Sequence, residues 1–198
     1  MNELLRQKIK YLLSIIIFLS VIVILSFTPD LGFIRYNYLT ISIVSIVVII
    51  AAIKNGWFVG MLCGLAFGLC SFFVANDYDM NPLDQIYQNI FIAIVPRVFL
   101  GISSAIVFRM INKIFKMQWL SAMITSIICF AAMIAIIFSM AFVLEWSVLV
   151  NIYNETNPLY LFYQYAQYST LIETTVITLM VGIFVLINEY LIKWQIQE

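Results

Sequence analysis

Long apolar runs alternate with short polar breaks along the whole chain. Six runs lie near the roughly 17–25 residues that cross a bilayer as a helix. They cover about 11–27, 38–53, 57–75, 86–111, 119–143 and 169–192, the second being the shortest. Three of the four prolines, most asparagines and most charges fall in the breaks. The pattern predicts an all-α polytopic membrane protein with six transmembrane helices, forming one integral membrane domain over 1–198. The runs fill most of the chain and leave no room for a separate soluble domain.

One run has a second pattern inside it. Residues 55–72, NGWFVGMLCGLAFGLCSF, place Gly56, Gly60, Gly64 and Gly68 at four-residue spacing. Helices in lipid gain little hydrophobic energy by meeting, so small residues that let backbones approach supply the packing. Such a ladder predicts a groove along the third span that accepts another helix. The fourth span offers a partner, because Gly101-Ile-Ser-Ser-Ala105 repeats the small-xxx-small spacing.

Composition agrees with the pattern. Hydrophobic residues make up 64% of the 198 and charged residues 10%, far below the roughly 25% charge of a soluble domain. Cys63, Cys70 and Cys129 all fall within spans and read as small buried apolar groups. The chain has no histidine, which excludes imidazole metal ligands and histidine acid–base chemistry. The basic N-terminus before YLLSIIIFLSVIVILSF has the charge of a signal peptide, but its apolar stretch is too long and no small-x-small site follows. It reads as a retained first span.

Charge then sets direction, since loops rich in Lys and Arg stay in the cytoplasm. Arg6, Lys8, Lys10, Lys54, Arg109, Lys113, Lys116 and Lys193, eight of the ten basic residues, fall at ends that six crossings place on one side. Across from them lie Arg35, Asp30, Asp77, Asp79, Asp84, Glu145 and Glu155. Both termini are therefore expected in the cytoplasm. The outer connections are longer than the inner ones and mix aromatic rings with Asn and Asp, which suits a binding surface or, more plainly, a belt of Tyr and Trp at the lipid interface.

Two ionisable residues stand out well inside the spans. Arg97 lies in IFIAIVPRVFLG and Glu173 in STLIETTVITL, both toward the outer side. A charge at that depth must face the protein interior and find a partner, so it is read first as functional. Pro96 removes one backbone donor beside Arg97 and frees a carbonyl. The two charges either pair with each other, or Arg97 receives an anion with its planar fork while Glu173 holds the guanidinium or accepts a ligand hydroxyl.

No catalytic or phosphate-binding motif is present: HExxH, GxSxG, GxxxxGK[ST] and paired intramembrane carboxylates are all missing. The chain is read as a binder and not an enzyme, needing no cofactor or metal. Without a phosphate-binding loop, active uptake would require a separate motor. Basic patches for nucleic acid are missing too.

Four stretches taken together resemble the substrate-binding S components of energy-coupling factor (ECF) transporters, in their pantothenate-type branch. They are FTPDLGFI after the first span, GLAFGLCSF in the third, IVPRVFLG in the fourth and LIET opening the sixth. The resemblance covers most of the chain in order and spacing. It implies a six-helix protein of a bacterial plasma membrane that captures a vitamin from outside, pantothenate being the leading guess. It also implies two kinds of partner, a transmembrane coupling subunit and two cytoplasmic ATPases, which would supply the motor. Arg97 and Glu173 carry over by motif as substrate-binding residues, and Asn37, Asp77, Tyr78, Trp146 and Asn154 by loop position. Where relatives carry AxxxA in helix one, His-x-Pro in helix two and Asn-Thr in helix five, this chain has spaced serines, Ser45-Ile46-Val47 and Phe130-Ala131-Ala132. The competing reading is a structural membrane protein of the rod-shape-determining MreD type, in which Arg97 and Glu173 form an internal staple.

Overall fold

The computed structural model describes residues 3–28, 31–36, 39–77, 82–153, 157, 160 and 171–197. Its elements run α1 (Glu3–Phe27), β1 (Phe33–Tyr36), β2 (Leu39–Ser42), α2 (Ile43–Asn55), α3 (Trp57–Asp77), a 3-10 helix η1 (Pro82–Gln88), α4 (Ile90–Phe115), α5 (Gln118–Leu144), α6 (Trp146–Tyr153) and α7 (Leu171–Gln197). Five helices, α1, α3, α4, α5 and α7, are long and apolar enough to cross a membrane. The chain is an all-α membrane protein with one small antiparallel hairpin.

The second apolar run departs from its expected form. The apolar pattern predicts one span over 38–53, yet residues 39–42 pair with 33–36 as a hairpin and the helix covers only Ile43–Asn55. Thirteen residues at about 1.5 Å each rise only ~20 Å. The cause lies in tertiary contacts at the boundary. Ile43 N donates to Gly32 O at 3.0 Å, and Ser42 N donates to Glu173 Oε1 at 2.9 Å. Both backbone donors that would otherwise open the helix are thus held by other segments.

Packing follows sequence order, with one exception. The helices α1, α3, α4, α5 and α7 contact one another in that succession, and α2 lies against α1, α3, α4 and α7 at once. Eight of its thirteen residues are buried. A helix that is apolar on all sides belongs in an interior, and IVSIVVIIAA is such a sequence. Ile22, Val44, Ile49, Val59, Phe67, Leu100, Phe130, Ile137 and Ile177 fill the core around it.

The two ends of the bundle are built differently. One carries tight turns. Gly56 closes α2 at φ +93° with its N–H on Ala52 O, and Lys116 closes α4 in the left-handed region at φ +55°. The other end gathers the hairpin, η1 and α6. There η1 packs on α3, α4 and α6, β1 touches α2, and β2 touches α7. Asn89 ties this end together: its Oδ1 caps α4 by accepting from Phe91 N at 3.1 Å, and its Nδ2 donates to Glu145 Oε1 at 2.9 Å at the end of α5.

Candidate functional site

Arg97 is buried, 4% exposed, in the third turn of α4. In an unbroken helix Ile92 O would accept from the amide of residue 96, but that residue is proline and has no N–H. Side chains on a helix lean toward its N-terminus. Arg97 leans that way: Nη1 donates to Ile92 O at 3.3 Å and to Ala93 O at 2.7 Å. The proline exposes a carbonyl and the neighbouring arginine fills it.

Two rings lie against the guanidinium. Its Cζ lies 4.8 Å from the centroid of Phe67 on α3 and 4.4 Å from that of Tyr87 on η1. Each such contact is worth about 0.5–2 kcal/mol, more as water is excluded. Phe33 of β1 stacks on Phe67 in turn, with centroids 6.2 Å apart. Nη1 is thus committed to backbone carbonyls while two aromatic rings lie against the charge; a guanidinium is also the side chain best suited to bidentate recognition of a carboxylate.

Glu173 is also buried, 8% exposed, in the first turn of α7. Its Oε1 accepts from Ser42 N at the start of α2. A carboxylate at a helix N-terminus satisfies an orphan amide and complements the helix dipole. Ser42 is the register partner of Phe33 in the hairpin. A continuous path therefore links the two charges: Glu173 to Ser42, across the rung to Phe33, then Phe67, then Arg97.

The other candidates are distributed as follows. Trp146 opens α6 and packs edge-on against Phe142 at 4.8 Å. Asp77 ends α3. Asn37, Tyr78 and Asn154 lie outside the described residues. Gly60, Gly64 and Gly68 face α4: a Cβ at Gly60 would strike Gly101 O, one at Gly64 would strike Arg97 O, and one at Gly68 would lie 2.7 Å from Ile94 Cα. Gly101 is hemmed in by Gly60 O in return. Gly56 stands apart from this groove, because it ends α2 outside any helix and a Cβ there would meet Arg109 Nη2 at 3.1 Å.

The sequence reading missed Phe67, Tyr87, Phe33 and Ser42. Phe67 stands within a stretch already singled out, GLAFGLCSF, yet nothing local distinguishes it from a core phenylalanine. Tyr87 precedes Arg97 by ten residues on another element, so no periodicity joins them. Among the described residues, no group of three His, Cys, Asp or Glu could hold a metal ion. No protein-family model matches the chain, and no curated protein sequence matches it.

Proposed function

We propose that the chain is a substrate-capture subunit of the ECF S-component type. In this reading it crosses a bacterial plasma membrane six times with both termini in the cytoplasm. It takes a small carboxylate vitamin from outside and passes it to a coupling subunit driven by two cytoplasmic ATPases. Pantothenate is the first ligand to try. The observation that carries the proposal is the Arg97 clamp: a buried guanidinium between Phe67 and Tyr87, at the end of the bundle where the long connections gather. A charge-assisted bond formed in such a water-poor place is stronger than one at an exposed surface.

Six crossings are supported by dimensions. The thirteen residues of α2 rise ~20 Å, and the four of β2 extend by ~13 Å. Laid end to end they would reach across a hydrocarbon core about 30 Å thick. An even number of crossings puts eight basic residues on one face, as positive loops require.

The MreD-type reading has its own support in the backbone bonds of both charges. Arg97 holds Ile92 O and Ala93 O, and Glu173 holds Ser42 N; a scaffold needs no more of them. Thermal unfolding of the detergent-purified chain against a vitamin panel that includes pantothenate separates the two. A ligand at 100 times its Kd stabilises the folded state by about 2.7 kcal/mol. A rise in Tm with one vitamin supports capture, and no rise with any vitamin supports the scaffold.

A further inference from the structure

Buried hydroxyls in these helices characteristically turn back onto the carbonyl three or four residues earlier. Ser104 donates to Leu100 O, Ser121 to Met117 O, Thr125 to Ser121 O and Ser126 to Met123 O. Ser71 of α3 does not. It is 4% exposed, and its Oγ has no hydrogen-bond partner among the described residues. An unsatisfied hydroxyl in an apolar interior is costly, and a satisfying carbonyl lies one turn back on the same helix, as for the others. The hydroxyl is withheld from that carbonyl.

Helix geometry says where Ser71 points. Successive residues turn by about 100°, so Ser71 projects between the directions of Phe67 and Gly68, one turn closer to the hairpin end. Phe67 lies under the Arg97 guanidinium. Gly68 faces Ala93 O, the carbonyl that Arg97 Nη1 holds. One turn further, Ala75 O accepts from Gln88 Nε2 on η1 at 3.2 Å. Ser71 therefore sits between the arginine clamp on one side and the 3-10 helix that roofs it on the other.

We propose that Ser71 Oγ is a substrate contact that hydrogen-bonds a hydroxyl of the ligand whose carboxylate is held at Arg97. The inference rests on the capture reading and narrows it to small hydroxylated carboxylates. Ser71 selects for the hydroxyl, because a ligand lacking it leaves the serine unsatisfied.

Calorimetric titration of the detergent-purified full chain tests this with two probes, pantothenate and its analogue with both hydroxyls replaced by hydrogen. Ser71→Ala should weaken pantothenate about tenfold, as loss of one hydrogen bond does, and leave the Kd of the analogue unchanged. Ser26→Ala, at a buried serine on α1, should alter neither. If Ser71→Ala purifies poorly, Ser71→Cys keeps the volume with a weaker donor and should show the same selectivity. Equal Kd values for parent and variant overturn the inference, as does equal weakening of both probes, which would mark Ser71 as packing or water-binding. No binding of either probe by the folded parent overturns it together with its ligand class. In that last case a response to another vitamin in the thermal panel leaves capture standing, and silence across the panel removes it.

Discussion

At residue scale, the key unit is the pair Pro96-Arg97, in which one residue opens a carbonyl and the next occupies it. The two should be energetically coupled. Pro96→Ala restores an amide donor to Ile92 O, so Arg97→Met should cost less stability in that background than in the parent. The expected coupling is about 1 kcal/mol, read from Tm in a double-mutant cycle; strict additivity would separate the two residues. Glu173 is testable in the same way. Glu173→Ala leaves the buried Ser42 N–H without its acceptor, at about 1–3 kcal/mol. Glu173→Gln keeps an oxygen there and should cost less. Arg97 and Glu173 stood out in the sequence because charge is rare in a span. Their aromatic and backbone partners did not, because Phe67, Tyr87 and Ser42 reach them only through the fold.

At the scale of elements, the α3–α4 contact rests on backbone meeting backbone. Gly60 and Gly101 face each other so closely that a Cβ on either would strike the other's carbonyl oxygen. Gly101→Ala should therefore force the helices apart and cost about 1–3 kcal/mol in thermal or chemical unfolding. Gly182→Ala offers the contrast. There a Cβ would meet the side chain of Met123, whose thioether can move aside, so the cost should be smaller. The four-residue spacing made the groove visible in advance, but Gly56 fits the spacing while serving as the turn after α2. Spacing alone does not distinguish the last rung of a ladder from a helix stop. The hairpin was hidden for a related reason. Residues 39–44, LTISIV, are mostly β-branched and mostly apolar, which suits a strand or a buried helix equally. The choice falls to Ser42 N, whose acceptor lies 131 residues away.

At the scale of the molecule, the two ends differ in charge and in build, and in the proposed orientation the tight-turn end faces the cytoplasm. Cys63, Cys70 and Cys129 are buried and should stay silent to a membrane-impermeant thiol reagent in intact cells. Against that background Gln85→Cys, exposed on η1, should label from outside, and Lys116→Cys only after permeabilisation. The reverse pattern would invert the topology and place the clamp toward the cytosol. Five of the helices were legible from apolar length alone. The difference between the two ends was legible only as a contrast between long polar connections and short basic ones.

The claim beneath all of this is that the Arg97 guanidinium holds a carboxylate. Its most direct test is the Kd, by calorimetry, of whichever vitamin stabilises the parent chain, measured for the parent, Arg97→Lys and Arg97→Ala. Binding should be weakened in Arg97→Lys, which keeps the charge and loses the fork, and should vanish in Arg97→Ala. Parental affinity in both variants, accompanied by a lowered Tm, would contradict the account and leave Arg97 as an internal staple.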